Sequence, residues 1–460
     1  MTYNFSIKPK KVHKVLTAHR EIKSITIPTQ ADYETMSSLL ETEPESMNNQ
    51  LPILWDKAID YQVIDSVGNK WIDFTSCIFV ANVGHSNPEV VSAINKTVNK
   101  GLLNAYYYPT KERADFTKDL LVAAGEKFNK VLLLSTGSEA NEAAVKMGII
   151  YGSRIKSNKR KILSFENSFH GKTMGSQMVG GKPKEKKWIS WQHPDIINIP
   201  FPYPWVLEEQ NKSGEQFFVE TLNQLIEDKV LSSYEDIAGF IFEPYQGWCA
   251  VFLPSDYMKA MRAFCDANKA LMISDEVQSG FGRTGKLFAY QHFNVDVDII
   301  VCGKGISSSL PLSAVIANKE IFGDNSSFNS THGGNPVAVA ASHASLLYLT
   351  RHNLVKQSEE KGKLLEDNLL KWQKEYPKHI QKIYCKGLLA SVFLNSGTSE
   401  PNDIFVDRLI EKAFYKGLVS VRTSSGTLKL GPPLTIPEEA LIEGINVLKE
   451  SLKELIEESV

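Results

Sequence analysis

The sequence predicts an α/β fold: a large domain built on a mainly parallel sheet between helices, plus a smaller α+β domain drawn from both chain ends. Two observations carry this. Short, nearly continuous apolar runs with β-branched residues (131–134, 270–274 and 295–302) read as strands buried on both faces of a parallel sheet. A chain of 460 residues is also longer than one hydrophobic core usually serves. The expected division is an N-terminal arm over 1–50, a small domain from 51–100 and 345–460, and a large domain over 101–344.

Residues 1–50 are polar and irregular, with Pro28 and Pro44. They read as an arm, either loose or ordered only against a partner subunit. The basic start of the chain lacks the apolar segment and small-residue cleavage site of a secretory leader. No apolar run approaches a membrane span. Hydrophobic residues are 42% and charged residues 23%, an ordinary globular composition. The net charge of −2 argues against a nucleic-acid or membrane-surface partner. Five scattered cysteines, Cys77, Cys249, Cys265, Cys302 and Cys385, form no C-x-x-C pair and read as buried thiols in a reducing compartment. The cytoplasm is the expected location. The ten histidines include no H-x-x-x-H, so no metal site is expected.

Between Leu54 and Phe74 an apolar–polar alternation (AIDYQVID) and then KWIDF read as short strands, joined at Val67-Gly68-Asn69. Asn87-Pro88 opens a helix with Val90, Ile94 and Val98 at helical spacing. The strand at 131–134 turns through Ser135-Thr136-Gly137-Ser138 into an alanine-rich helix. Gly137 and Ser138 stand at its amino terminus, where free N–H groups and the dipole favour an anion; the plain alternative is a serine N-cap. A further strand ends at Phe169-His170-Gly171, where an aromatic is more often core than ligand contact. Another ends in Glu243, and an acid before proline is ordinarily a solvated turn.

The chemistry concentrates in residues 270–309. One apolar run breaks into Asp275-Glu276, the next into Gly303-Lys304-Gly305. In a parallel sheet ligands sit beyond the carboxyl ends of strands, which is where these two residues fall. A lysine between glycines beyond a buried strand is poorly solvated, so its pKa can fall and its amine can act as a nucleophile. An amine to condense with an aldehyde and an acid to hold a ring nitrogen protonated suit pyridoxal 5'-phosphate. After Thr331 in a Gly-rich turn comes another alanine-rich helix. Residues 353–375 are helical and amphipathic, short strands follow near Ile383 and over 391–394, and a last helix carries Leu441, Ile445, Leu448, Leu452 and Leu455 on one core-facing stripe.

The segment D-E-V-Q-S-G-F-G-R-T-G from Asp275, with Lys304 beyond it, resembles the signature block of class III aminotransferases, the ornithine and 4-aminobutyrate type. So do T-G-S-E-A-N-E, Phe169-His170-Gly171, the Glu243-Pro244-x-Gln246-Gly247 run and T-x-x-G-N-P at Thr331; the likeness runs from about Leu54 to the end. It implies the type I fold of pyridoxal-phosphate-dependent transferases. Lys304 would carry the cofactor as a Schiff base and move the proton, Asp275 would meet the ring nitrogen, and Gln278 would lie near the phenolic oxygen. Phe169, of the x-H-G motif that includes His170, would stack on the ring. Gly137 and Ser138 would hold the phosphate together with Thr331 of a neighbouring subunit, which requires a homodimer, with a tetramer open.

The family's glutamate of the E-P-x-Q-G run lies near the substrate carboxylate, which suggests Glu243 here. Cys77 stands where a glycine is more usual. Lys172 follows x-H-G, and Lys429 precedes Pro432-Pro433-Leu434, each where arginine is the family habit; Arg422 upstream offers a substitute. Lysine gives a carboxylate a point charge rather than a bidentate fork.

The implied reaction moves an amino group from an amine or ω-amino acid donor, 4-aminobutyrate-like, to a 2-oxo acid by a ping-pong route. A racemase, epimerase or aminomutase of the same fold would share every cofactor residue. A phosphorylated or sugar substrate is a further alternative, since Lys182 and Lys184 add positive charge after Lys172. A rival phosphate-binding loop at Gly280–Lys286 (GFGRTGK) fails at Leu287, where Ser or Thr would hold magnesium.

Overall fold

The computed structural model describes residues 3–106, 108–180, 182–323, 327–423 and 426–458. The chain divides into two compact units, Met1–Asn87 with Leu354–Val460 and Pro88–Asn353.

The larger unit is organised on a seven-stranded sheet. Its strands in chain order are β1 (Lys130–Leu134), β2 (Lys161–Phe165), β3 (Ile196–Ile199), β4 (Ile237–Phe242), β5 (Leu271–Asp275), β6 (Ile299–Cys302) and β7 (Ser313–Ala317). Their spatial order is β3-β2-β4-β5-β6-β7-β1. Strands β3, β2, β4, β5 and β6 pair in parallel, while β7 runs antiparallel to both neighbours. The central strands are buried along their whole length, as their unbroken apolar runs require.

Helix α1 (Gly137–Ile155) lies on this sheet. Its Ala140, Ala144 and Met147 are fully buried in one cluster with Ile162, Ile241, Ile273, Ile299 and Val315. Small side chains at that spacing let the helix approach closely, and each buried Ile or Met contributes about 1.5–3 kcal/mol. Helix Pro88–Asn99 packs on helix Pro336–Arg351. For that reason the division falls at Asn87/Pro88 and Asn353/Leu354, outside the 100/101 and 344/345 boundaries the sequence suggested.

Among the described residues the smaller unit holds three sheets, one of them only the antiparallel pair Lys10–Lys11 and Thr26–Ile27. Of the two larger sheets, one is antiparallel and made of Ile380–Lys386, Leu389–Leu394, Thr427–Leu430 and Val421–Thr423. The other joins Val15–Leu16, Glu21–Ile22, Lys70–Asp73, Gln62–Asp65 and Trp55–Ile59, with Leu418–Val419 added in parallel to Lys70–Asp73. The turn at Gly68 links its strands where expected, with Asp65 accepting from the Val67 and Asn69 N–H groups. The AIDYQVID alternation is not one strand. It folds back at Asp60-Tyr61, Asp60 taking φ 52°, so that Trp55–Ile59 pairs with Gln62–Asp65.

The polar stretch over residues 3–50 is not loose. Ile22 and Ile27 are buried with Trp71, Phe414 and Val419 of the same unit, and Thr29 caps a helix over Gln30–Thr42. In the last helix, Leu441, Ile445, Leu448, Leu452 and Leu455 are all buried, as their stripe predicts. The cysteines are free but not uniformly buried: Cys77 is exposed, and Cys249 and Cys385 are half-buried. Among the described residues no helix is long and apolar enough to cross a membrane.

Candidate active site

The carboxyl ends of β1, β2, β4, β5 and β6 open on one cavity of about 170 Å³ in the larger unit. It is lined by Gly137, Ser138, Phe169, His170, Glu243, Asp275, Gln278 and Lys304, and also by Asn141, Gly171 and Val277. Register explains the convergence. Phe242 pairs with Ser274 and Asp275 with Val301, so Glu243 and Asp275 step off adjacent strands together and Lys304 follows three residues beyond. A larger cavity of about 620 Å³, lined by Leu132, Val145, Met178 and Phe328 among others, takes its Glu142 and Lys146 from the body of α1 and its His193 from a loop, not from strand ends.

The amino end of α1 is arranged for an anion. Its N-cap is Thr136, not Ser138. Thr136 Oγ1 accepts from the Glu139 N–H (3.2 Å), and Glu139 Oε2 accepts from the Ser135 and Thr136 N–H groups (2.8 and 3.0 Å). This capping box accounts for three donors and leaves Gly137 and Ser138, which have no acceptor within the helix, on the cavity wall. Close approach fixes the small residues around them. A Cβ on Gly171, whose φ is +132°, would stand 2.1 Å from Ser138 Oγ. A Cβ on Gly137 or Gly303 would meet Val277 Cγ1 at 3.1 or 3.0 Å, so Val277 fills the floor between helix and lysine loop.

Asp275 is buried and carries three donors: His170 Nδ1 at 2.7 Å and Asn141 Nδ2 at 2.8 Å on Oδ2, and the Val277 N–H at 3.0 Å on Oδ1. Burial alone would pull the His170 pKa down. The hydrogen bond and charge of Asp275, with Glu243 adding, outweigh it, so the net direction is up. Glu243 is raised to about 6, chiefly by burial, with Asp275 adding to it and His170 opposing. Its two oxygens accept from the Phe169 N–H (2.9 Å) and the Gly247 N–H (3.0 Å). Burial pulls the Lys304 ammonium below the usual lysine range, against Asp275 and Glu243. Lys304 also sits at φ 43°, a left-handed conformation that costs a non-glycine residue about 1–2 kcal/mol and clusters at functional sites.

Not every candidate lies in the cavity. Lys172 is exposed and does not line it. Thr331 is exposed in a turn whose Ser330 hydroxyl donates to Glu139 Oε1 (3.2 Å). Lys429 and Arg422 belong to the smaller unit. There Lys429 Nζ lies over the Phe79 ring at 4.7 Å, and Arg422 pairs with Asp407 (2.8 Å) and Asp403 (3.2 Å). Lys182 is half-buried, with its ammonium 3.7 Å from the centre of the Trp248 ring. The GFGRTGK stretch forms buried turns, Arg283 and Thr284 included, and not a strand–loop–helix cradle. Sequence reasoning missed Asn141, Gly171 and Val277 as site residues; Asn141 stood one helical turn past Gly137, which is the signal that could have found it.

Residues 44–452 match the family profile described as Aminotransferase class-III. The chain belongs to that family. It is 31% identical over 413 residues to an acetylornithine aminotransferase of Caldanaerobacter subterraneus subsp. tengcongensis, covering 88% of this chain and 96% of the relative. It is 29% identical over 439 residues to a 4-aminobutyrate aminotransferase of Mycobacterium leprae, covering 93% and 96%. Its fold superposes with TM-score 0.83 on a transaminase from the marine bacterium Virgibacillus, at 25% identity and covering 93% and 100% of the two chains.

Class III aminotransferases are enzymes of fold type I that use pyridoxal phosphate and exchange nitrogen between small amines and 2-oxo acids. The cavity's donor set fits that cofactor. It offers a helix amino terminus with two unclaimed N–H positions, a buried acid at a strand end and a desolvated amine. In its wall His170 Nε2 and Asn141 Oδ1 are buried without a hydrogen-bond partner among the described residues, as expected of a site shaped for a bound group.

Proposed function

We propose that this protein transfers an amino group from an ω-amino donor, 4-aminobutyrate-like, to a 2-oxo acid in two half-reactions. The observation that supports the reading best is the convergence of Lys304 and Asp275 from adjacent strands on one cavity closed by the start of α1. When bound, pyridoxal phosphate supplies a carbonyl that condenses with amines and a ring that takes up the electron pair freed at the substrate carbon.

The residues divide the remaining work. Gly137 and Ser138 would hold the phosphate through backbone N–H groups, and Thr331 of the partner subunit would complete that site in a homodimer. Phe169 and Val277, both in the cavity wall, would confine the ring. Asp275 would hold a ring nitrogen protonated, with His170 hydrogen-bonded to the acid, and Gln278 would offer its amide to the ring's oxygen. Lys304, whose ammonium burial pulls below the usual lysine range, would hold the cofactor and would move the proton at the substrate carbon.

Glu243 governs the substrate's tail. It is anchored by two backbone N–H groups, each a charge-assisted bond of about 1.5–3 kcal/mol net. A swing away to admit a dicarboxylic acceptor therefore requires those two bonds to be exchanged for new ones. Relatives named for ornithine and 4-aminobutyrate both take donors bearing a terminal amine, which favours the ω-amino class over phosphorylated or sugar amines.

A half-reaction screen tests this. Purified protein with bound cofactor is mixed with single amines, without acceptor, and the loss of its long-wavelength absorbance is followed. ω-Amino acids should bleach it and a 2-oxo acid restore it, with parallel initial-rate lines at steady state. Bleaching only by sugar or phosphorylated amines, or racemisation of one amino acid without acceptor, would overturn the assignment.

A further inference from the structure

Asn141 has no role in the account so far, yet its placement is costly. It sits inside α1, 2% exposed, where asparagine is a poor helix former and an alanine would serve packing better. Its Oδ1 is buried without a partner among the described residues, which is unfavourable. What offsets that is Nδ2, which donates to Asp275 Oδ2 (2.8 Å) and to the His170 carbonyl (2.9 Å). The amide cannot sit the other way round, since Oδ1 would then face two acceptors. One side chain thus ties the phosphate end of α1 to the end of β5 and to the His170 turn, three segments that each line the cavity.

We propose that Asn141 is a positioning residue for Asp275, fixing the carboxylate relative to the anion-binding start of α1 so that the acid meets the ring nitrogen in one orientation. The proposal rests on the assignment of Asp275 to that nitrogen. Without Asn141, Oδ2 keeps His170 as its side-chain donor and the carboxylate is free to turn towards the imidazole. Aspartate at 141 would be worse than alanine although it matches asparagine in shape, because it sets a second carboxylate against Asp275 and the His170 carbonyl.

The test compares Asn141→Ala, Asn141→Asp and Asp275→Asn as loaded enzymes, reading pyridoxal phosphate release on dilution and the pH titration of the bound cofactor's absorbance. Thermal melting of each apo form separates misfolding from the effect sought. Asn141→Ala should release the cofactor about tenfold faster, the loss of one hydrogen bond to a charged group, and shift the absorbance titration; Asn141→Asp should do both more strongly. In the Asp275→Asn background, Asn141→Ala should add little. If Asp275→Asn changes neither readout, the ring-nitrogen assignment fails and this proposal with it. If Asp275→Asn disturbs both while the Asn141 variants match the parent, or if the two effects simply add, the positioning role alone is overturned.

Discussion

Gly171→Ala probes the phosphate end of the site through geometry alone. The new Cβ would lie 2.1 Å from Ser138 Oγ, 2.6 Å from Ser176 Oγ and 2.7 Å from Ser138 Cβ. Its φ of +132° is also a region that L residues rarely adopt. Relief to an ordinary contact moves Ser138 or the His170–Gly171 turn by about 1 Å, and such overpacking costs roughly 1–3 kcal/mol of stability. A shift of that size spoils a charge-assisted hydrogen bond to the phosphate, worth about 1.5–3 kcal/mol, so cofactor affinity should fall by roughly 10- to 150-fold. Equilibrium titration of the apo protein with pyridoxal phosphate measures it, and apo melting reports the stability share. An affinity within twofold of the parent would refute the claim that Gly171 is small because Ser138 sits against it.

Three further outcomes follow from other parts of the molecule. The Glu243 pKa of about 6, against an ordinary 4.5, means the folded state holds a proton that the unfolded chain has released. Its contribution is full below pH 4.5 and is lost as pH rises to 6, about 2 kcal/mol in all. Relative to Glu243→Gln, the parent apo protein should therefore lose melting stability between pH 4 and 7, and a flat or rising difference would contradict this. Cys77 holds φ 52° and ψ 55° in a left-handed turn. Cys77→Gly should accordingly be neutral or gain up to about 1 kcal/mol in urea unfolding, where glycine in an ordinary helix costs about that much; a clear loss would mean its side-chain packing outweighs the strain. Lys159, 2% exposed, donates to the carbonyls of Glu235, Ile237 and Asn268. Lys159→Met leaves three acceptors unpaired and should cost roughly 2–4 kcal/mol by the same assay, with a loss under 1 kcal/mol arguing for water replacing the ammonium.

The sheet was legible because each central strand is an unbroken apolar run ending in a chemically distinctive residue. Asp275 and Lys304 could be placed at strand ends from that pattern alone, whereas Glu243, by itself a solvated turn before proline, was placed by its likeness to the family's E-P-x-Q-G run. Other features left no such mark. A polar residue within a helix reads as surface, so Asn141 was passed over although it reaches Asp275. The Asp60-Tyr61 fold-back interrupts no hydrophobic alternation, because Trp55–Ile59 and Gln62–Asp65 both fit one pattern. Four successive left-handed residues, Ser76 to Phe79, have no glycine to announce them. Their scaffold is tertiary, with Ser76 Oγ donating to the Gly431 carbonyl (2.6 Å) and the Thr75 N–H and hydroxyl donating to Asp73 (2.7 Å each). The order of residues 3–50 likewise comes from Trp71, Phe414 and Val419, far away in sequence.

The attachment of pyridoxal phosphate to Lys304 is the claim on which the rest depends, and chemical trapping tests it most directly. The loaded protein is reduced with borohydride, digested, and its peptides sequenced by mass spectrometry. The account predicts the phosphopyridoxyl group on the peptide containing Lys304, and no stable label in a Lys304→Arg variant that folds and still binds the cofactor weakly. A label on Lys172, Lys182 or Lys429 instead, or one that survives the Lys304→Arg substitution, would contradict it.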